Sequence, residues 1–242
     1  MNKTVLITGG GSGIGLETAK RMAAEGFSVT VSGRNEERLA ESGFNYVVMD
    51  VTDEGSVNAG FKSAGPFDIV ISNAGVAKTA PSMKTSLALW QEMIAVNMTG
   101  AFLCAKAALP AMAENGFGRF VVVASTSAVK AYPYTMAYTS SKHGALGLVR
   151  SLAAEFATTG VTCNAVCPGF TDTEIVSSSI ENIVAKTGRT HAQAMQAFTK
   201  DNPMKRLVEP TEVAETINWI CSAGAASING QAIIVDGGEL IT

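Results

Sequence analysis

The chain has 242 residues, of which 47% are hydrophobic and 16% are charged, and its formal net charge is −3. An apolar fraction this large excludes a mostly disordered protein, and the small negative charge excludes a general affinity for nucleic acid or anionic membranes. The length suits one large α/β domain or two small ones.

The first residues and the cysteines bear on the cellular location of the protein and on metal binding. The apolar run at 4–8 is too short for the core of a signal peptide, and no run approaches the roughly 18 apolar residues of a membrane-spanning helix. We therefore expect a cytoplasmic protein. The cysteines form no Cys-x-x-Cys pair and have no histidine nearby, so we expect buried free thiols and no metal site. They are Cys104, Cys163, Cys167 and Cys221.

Short runs rich in Val and Ile alternate with helical stretches along the chain, a pattern typical of a parallel sheet covered on both faces. We predict one Rossmann-like, doubly wound α/β domain over residues 1–242, with a seven-stranded parallel sheet and helices on both faces. The segment 171–206, here called the lid segment, is polar and strandless, and is either a lid over a site or a disordered loop. Strands are predicted at 4–8, 28–32, 46–49, 67–72, 119–124, 161–166 and 232–235, and helices at 14–24, 86–113, 135–156 and 211–221.

The first predicted strand is followed by the sequence TGGGSGIG at residues 8–15, and a helix follows at once. Glycines let a pyrophosphate approach the backbone, and a helix N-terminus supplies free N–H groups and partial positive charge. This order indicates a dinucleotide site, with a plain glycine turn as the alternative. The glycines at 9, 13 and 15 are spaced differently from the general Gly-x-Gly-x-x-Gly fingerprint.

The second half of the chain carries polar residues suited to acid–base chemistry. Tyr138 and Lys142 lie four residues apart, on one face of a predicted helix. A nearby ammonium favours the phenolate, which would bring a phenol of pKa about 10 toward the working pH. Ser125 follows a predicted strand, at the sheet edge where ligands bind in such folds. Asn97 lies inside a predicted helix, where its alternative role is a kink or a satisfied polar contact.

The glycine spacing and these four residues, in this order, closely resemble the short-chain dehydrogenase/reductase family, over about residues 4–238. The resemblance implies that Tyr138 exchanges a proton with the substrate oxygen and that Ser125 binds the same oxygen, chosen over its hydroxyl neighbours on spacing. It implies that Lys142 binds the nicotinamide ribose and lowers the pKa of Tyr138. It also implies that Asn97 holds a water of a proton relay.

The resemblance also implies a set of cofactor contacts along the sheet edge. Ser72 departs mildly from the family's Asn-Asn-Ala-Gly motif, and the short span 34–50 implies a helix of only a turn or two. Besides Tyr138 and Lys142, the implied cofactor-binding residues are Gly9, Ser12, Gly13, Ile14, Gly15, Gly33, Arg34, Asp50, Val51, Asn73, Ala74, Gly75, Pro168, Gly169, Thr171 and Thr173.

The end of the second predicted strand bears on the choice of nicotinamide cofactor. NAD-binding members usually carry an acidic residue there, to accept from the ribose 2′-hydroxyl. This chain has Gly33 followed by Arg34, which suits a 2′-phosphate. NADP(H) is therefore preferred over NAD(H), which stays possible; a solvated surface arginine is the alternative interpretation.

The stretch 138–169 looks most like 3-oxoacyl-thioester reductases and polyketide ketoreductases. The basic residues that receive an acidic carrier protein in such reductases are replaced here by Gly116 and Thr159, so coenzyme A or a small ketone is favoured over a carrier-bound substrate. The helical segments at 101–113 and 145–157 are rich in small residues. Family members pair these helices across a two-fold axis and usually form tetramers, which implies a homotetramer; ordinary packing against the sheet explains part of the same composition. Apolar lid residues either line the substrate site or pack the lid: Ile175, Val176, Ile180, Met195 and Phe198.

Three other functions compete with this one. A polyol, sugar or cyclic-alcohol dehydrogenase would use the same four polar residues. A non-catalytic NADP(H)-sensing protein would need only the cofactor half of the site. An epimerase or dehydratase of the extended branch would be longer and have a different glycine spacing, so it ranks lowest.

Overall fold

The computed structural model describes residues 3–241; positions 1, 2 and 242 of the predicted domain lie outside the described residues. Its sheet has seven strands, all parallel, in the order β3-β2-β1-β4-β5-β6-β7. The predicted fold class is thereby confirmed, and each predicted strand is present within two residues at either end. The strands are β1 Thr4–Thr8, β2 Ser28–Gly33, β3 Asn45–Val48, β4 Ile69–Ser72, β5 Gly118–Val123, β6 Val161–Pro168 and β7 Ala232–Val235.

Helices cover both faces of the sheet. The predicted helices are present, and the span between β2 and β3 carries only a short helix, as expected. A helix after β3 was not predicted; Asp53 caps its start by accepting from the Ser56 N–H. The α-helices are α1 Gly13–Ala24, α2 Glu36–Glu41, α3 Glu54–Ala64, α4 Leu87–Ile94, α5 Gly100–Glu114, α6 Met136–Glu155, α7 Glu174–Thr187, α8 His191–Thr199 and α9 Pro210–Ile220.

Two hydrophobic clusters fill the space on either side of the sheet. The strands place alternate side chains on opposite faces, so Leu6 joins the cluster beneath α3, α5 and α6, while Val5 joins the one beneath α1 and α9. The chain order reverses at β1, beside β4. In open parallel sheets this reversal leaves a crevice at the carboxyl ends of the strands, where ligands bind.

The lid segment is folded in the structure. It contains α7 and α8, and Thr171 forms an isolated parallel bridge with Val208. Of the apolar residues predicted to line or pack it, Val176 and Ile180 are buried in a small separate cluster, and Ile175 is exposed. Met195 and Phe198 pack against that cluster. The packing role therefore accounts for most of this group.

By length and composition alone, the helical run Leu87–Glu114 could cross a membrane, but half of its most apolar stretch is buried, as in a core helix. The four cysteines are free and buried. Among residues 3–241 no three His, Cys, Asp or Glu side chains cluster closely enough to hold a metal ion.

Candidate active site

The glycine-rich turn joins β1 to the N-terminus of α1. Gly9 and Gly13 have φ of +64° and +51°, a region that favours glycine. A Cβ on Gly15 would collide with the Gly9 carbonyl oxygen and stand 2.6 Å from Asn73 Nδ2. Asn73 Nδ2 donates to the carbonyls of Thr8 and Gly9, at 2.9 and 3.2 Å. The turn is thus a fixed backbone cradle at a helix N-terminus, and its geometry fits a pyrophosphate.

The ends of β2 and β3 place a cation and a carboxylate beside each other. Arg34 follows Gly33 and is exposed. Thr52 donates from its backbone and its hydroxyl to Asp50 Oδ1, at 2.9 and 2.7 Å. These hydrogen bonds, helped by the charge of Arg34, lower the pKa of Asp50. Asp50 is therefore an oriented acceptor, with Arg34 next to it.

A second arginine near the glycine turn was not predicted from the sequence. The side chain of Arg38 lies so close to Gly11 that a Cβ there would stand 3.1 Å from Arg38 Cγ. Its guanidinium pairs with Glu174 of α7 at 2.8 Å. Likewise, a Cβ on Gly13 would meet Thr173 Cγ2 at 3.3 Å. The start of the lid segment thus borders the cofactor crevice at Thr173, one of the residues for which the resemblance implies a cofactor contact.

Asn97 interrupts the long helical run at a π-helical turn, Ala95–Thr99, between α4 and α5. Its amide accepts from the Val76 N–H and donates to the Val76 carbonyl, both at 2.9 Å. It also donates to Ser141 Oγ of α6 at 3.1 Å. The satisfied polar contact, given as the alternative role of Asn97, is therefore present, at a π-turn in the helical run. π-turns often occur at functional sites, so the π-turn at Ala95–Thr99 is consistent with a functional role for Asn97.

Lys142 is buried, and its ammonium donates to the Val123 carbonyl at the end of β5, at 3.0 Å. A Cβ on Gly75 would stand 3.5 Å from Lys142 Nζ and 3.1 Å from Asn97 Oδ1, so both polar groups border one small space. Burial lowers the pKa of Lys142 to about 8. An ammonium held in this way is costly to keep, which is typical of a functional group.

The Tyr138 phenol is partly buried and lies on the same helix, with its ring centre 5.8 Å from Lys142 Nζ. Burial raises its pKa, and hydrogen bonding with Ser125 opposes that rise without cancelling it. The lowering expected from Lys142 is therefore not the net effect, because desolvation prevails and the ammonium donates to the Val123 carbonyl. The structure brings residues 125, 138 and 142 together at the carboxyl end of β5.

Ser125 and its hydroxyl neighbour Thr126 differ in their hydrogen-bond partners. Ser125 Oγ accepts from the Ser127 N–H at 3.0 Å. Thr126 instead bonds to the Tyr132 hydroxyl at 2.9 Å, and that hydroxyl lies 2.7 Å from Glu239 Oε1. Tyr132 has one hydroxyl proton to share between these two contacts. This buried Thr–Tyr–Glu chain joins residues 107 positions apart and was not predicted from the sequence.

The remaining predicted cofactor residues line the same edge. Pro168 ends β6, and the Gly169 N–H donates to the Val235 carbonyl at 3.0 Å. Thr171 is buried, and its hydroxyl donates to the Gly169 carbonyl at 3.1 Å. Ser12 is the residue before α1, Ile14 lies in its first turn, Val51 packs beside Gly100, and Ala74 donates its N–H to Thr8 Oγ1.

A family model described as enoyl-(acyl carrier protein) reductase matches residues 9–239 of the chain. The 3-oxoacyl-acyl-carrier-protein reductase MabA of Mycobacterium tuberculosis is 35% identical to it, in an alignment covering 98% of this chain and 93% of that protein.

Two solved structures are similar over nearly the whole chain. A variant of actinorhodin polyketide ketoreductase, crystallised with NADPH, has a TM-score of 0.91 and 35% identity, covering 98% of this chain and 97% of that one. Levodione reductase has a TM-score of 0.93 and 31% identity, covering 99% and 98%. The glycine turn and the four polar residues therefore belong to a fold shared with reductases of carbonyl compounds.

Proposed function

The chain belongs to the short-chain dehydrogenase/reductase family of oxidoreductases that act on CH–OH groups, and from that premise we propose that it interconverts a 3-oxoacyl thioester and its 3-hydroxy form with NADP(H). The family resemblance of the sequence is confirmed. The observation that carries the proposal is the convergence of Ser125, Tyr138 and Lys142 at the carboxyl end of β5, facing the crevice beside the glycine turn.

Each of these groups has a role that follows from its position. Bound NADPH would supply a hydride to the carbonyl carbon. Tyr138 donates its proton to the carbonyl oxygen, and its raised pKa keeps it protonated for that step. Ser125 donates a hydrogen bond to the same oxygen and stabilises the negative charge that develops there. In the oxidative direction Tyr138 removes the alcohol proton instead.

Lys142 and Asn97 would together bind the cofactor ribose and carry protons to and from Tyr138. The Lys142 ammonium would bind the nicotinamide ribose hydroxyls and, once drawn toward them, favour the Tyr138 phenolate. Its pKa of about 8 allows it to pass a proton on near neutral pH. Asn97 fixes the π-turn and borders the same space as Lys142 Nζ, where a relay water would lie.

The preference for NADP(H) rests on charge at the adenosine end of the crevice. Arg34 is exposed beside Asp50, and Arg38 lies against the glycine turn. The exposed guanidinium of Arg34 and the absence of an acidic residue in β2 suit a 2′-phosphate. We expect kcat/KM for NADPH to exceed that for NADH by at least about tenfold, one charge-assisted contact being enough for such a factor. Equal values would overturn the assignment.

The thioester substrate is supported by the ketoreductase and 3-oxoacyl-reductase names of the similar proteins. Coenzyme A is favoured over a carrier protein because Gly116 and Thr159 stand where carrier-binding cations are expected. The homotetramer is part of the proposal, supported by Phe102, which is 46% exposed on α5. So is a cytoplasmic location.

A substrate panel with NADPH tests this function directly. It compares acetoacetyl-CoA with an acetoacetyl carrier protein, a cyclic ketone, a keto-sugar and crotonyl-CoA, which has a C=C bond to reduce. The proposal expects the highest kcat/KM for acetoacetyl-CoA. Highest activity on the cyclic ketone or keto-sugar would favour the polyol, sugar or cyclic-alcohol alternative, and turnover of crotonyl-CoA alone would overturn the carbonyl chemistry.

A further inference from the structure

Beside the site lies an open cleft of about 510 Å³ with an unusual concentration of lysines. It is lined by Lys130, Lys200, Asp201, Pro203 and Lys205, which we call the lysine cleft. Three ammonium groups and one carboxylate give the cleft an excess of two positive charges, in a chain whose formal net charge is −3. None of these residues belongs to the cofactor crevice or the proposed catalytic set.

The lysine cleft is close to the proposed oxygen-binding hydroxyl. The Lys130 N–H donates to the Thr126 carbonyl at 2.9 Å, so Lys130 stands one turn of chain from Ser125. Its ammonium lies 5.3 Å from the centre of the Tyr132 ring. The other wall follows α8, at the end of the lid segment. The cleft therefore lies between the loop that leads to Tyr138 and the lid segment.

The backbone on the lid side of the cleft is fixed by a buried residue. Asn202 is 4% exposed, donates to the Asp236 carbonyl at 3.0 Å and accepts from the Met204 N–H at 2.8 Å. Its backbone carbonyl also accepts from the Lys205 N–H at 2.9 Å. Lys205 has a φ of +53°, which is uncommon for a residue with a side chain. This conformation is held by the surrounding hydrogen bonds, and residues held in this way concentrate at ligand sites.

The charges in the cleft are only loosely paired with one another. Lys205 donates to the Lys200 carbonyl at 2.7 Å, and Lys200 meets Asp201 at 3.9 Å, with both side chains well exposed. Such a contact is weak. The Lys130 ammonium lies near the Tyr132 ring, 5.3 Å from its centre. The cleft therefore presents ammonium groups that an anion of two or more charges can contact together.

We propose that the lysine cleft binds the phosphate groups of a coenzyme A thioester while its acyl end reaches Ser125 and Tyr138. The inference rests on the proposed function and names the part of the substrate that this chain recognises. Lysine ammonium groups bind phosphates as point charges, and a cleft near the site raises the local concentration of an anionic substrate. A carrier protein's phosphopantetheine shares the phosphate chemistry but offers a single phosphodiester.

The test uses acetoacetyl thioesters that differ only in their phosphates: coenzyme A, dephospho-coenzyme A and pantetheine, which has none. We expect KM to rise in that order, with kcat within about twofold because the reacting end is unchanged. An acetoacetyl carrier protein is run beside them; a lower KM for it than for acetoacetyl-CoA would overturn the choice of coenzyme A.

The matched variants remove two charges each. Lys130→Gln/Lys200→Gln leaves Lys205, whose ammonium holds the turn, and should raise KM for acetoacetyl-CoA about five- to tenfold, the effect of two exposed charge contacts. It should leave KM for acetoacetyl-pantetheine unchanged. Lys20→Gln/Lys62→Gln makes the same charge change on α1 and α3 and should leave both KM values unchanged. Calorimetric titration with free coenzyme A should show the same loss of affinity in the cleft variant, independently of turnover.

The outcomes separate this inference from the proposed function. If the wild-type protein reduces acetoacetyl-pantetheine and acetoacetyl-CoA with equal KM, the cleft proposal is overturned and the ketoreductase proposal stands. If it reduces no thioester but does reduce a cyclic ketone or keto-sugar, the substrate class fails and the cleft proposal fails with it. Equal losses in the two double variants would show only a general charge effect and would also overturn the cleft proposal.

Discussion

The floor of the site and the lid segment are built in different ways. In the floor, Asn97, Ser141 and Lys142 are 3%, 0% and 5% exposed, and each has a hydrogen-bond partner on another element. The lid segment has its own small apolar cluster, including Val176 and Ile180, apart from the two clusters on the sheet. The floor is therefore fixed by the main core, whereas the lid is fixed mostly by itself.

Because of this difference, we expect the floor and the lid to tolerate different substitutions. Leaving a buried polar group of the floor without its partner lowers the free energy of unfolding by about 1–3 kcal/mol. A substitution in the floor is therefore expected to destabilise the elements to which the lost partner belongs. The lid contacts the rest of the chain at separate points, among them the exposed Arg38–Glu174 pair and the Phe198 ring against Phe170. We expect chemistry to depend on the floor and substrate choice on the lid and the nearby lysine cleft.

The largest effect short of removing the phenol is expected from Ser125→Ala. Losing one donor to the developing oxyanion should lower kcat about 100- to 1000-fold, with little change in KM. Steady-state kinetics with NADPH and acetoacetyl-CoA provide the measurement. The control is Thr126→Val, which removes the neighbouring hydroxyl that bonds to Tyr132 and should cost less than about tenfold. The reverse ranking would assign the oxygen contact to Thr126.

Lys142→Met tests how burial of the Lys142 charge affects the free energy of unfolding. The pKa of Lys142 is about 8 when folded and 10.5 when unfolded, so burial of its charge destabilises the fold by about 3 kcal/mol below pH 8. As pH rises from 8 to 10.5 the folded protein loses this proton first, and the penalty disappears. The variant lacks the penalty but leaves the Val123 carbonyl unpaired at every pH, so the pH dependence of the difference is the observable.

Urea unfolding of both proteins at pH 7 and pH 10, at one protein concentration, measures that difference. We expect the free energy of unfolding of Lys142→Met relative to wild type to fall by about 2–3 kcal/mol over this range. Lys62→Met, on the exposed face of α3, should show no such change. A difference that does not depend on pH would contradict the lowered pKa.

The smallest effect is expected in the lid, from Phe198→Ala. Its ring meets Phe170 edge-on, with centres 5.0 Å apart. Losing this contact, worth about 1 kcal/mol, should raise KM for acetoacetyl-CoA about three- to tenfold and leave kcat within about twofold. Phe61→Ala removes a similar edge-on pair, between α3 and Phe67 before β4, so it should lower stability without moving KM. A fall in kcat beyond tenfold for Phe198→Ala would show that lid and floor are not separable.

The sequence was most informative where one element carries the pattern. The strands, the glycine turn and the spacing of Tyr138 and Lys142 are local, since buried strands read as apolar runs and helix neighbours are four residues apart. The helix α3 was missed because only four of its eleven residues are apolar and two are glycines. Its cap, Asp53 with Ser56, was the available signal.

Contacts between distant parts of the chain could not be predicted in this way. The Arg38–Glu174 pair and the Tyr132–Glu239 bond join segments that only the folded topology brings together. The direction of the pKa shift of Tyr138 was also beyond the sequence, because it depends on burial, which outweighs hydrogen bonding here. The lysine cleft likewise combines two segments about 70 residues apart, at Lys130 and 200–205.

The most direct measurement compares wild type and Tyr138→Phe in two assays, turnover of acetoacetyl-CoA and NADPH affinity by fluorescence titration. Removing one hydroxyl leaves the fold and the cofactor cradle, so NADPH affinity should stay within about threefold, while kcat falls by about 1000-fold or more because no acid remains at the substrate oxygen. If the variant kept more than a tenth of wild-type turnover, Tyr138 would not be the proton donor. If wild type bound NADPH but turned over no carbonyl substrate, the chain would be a cofactor sensor and not an enzyme.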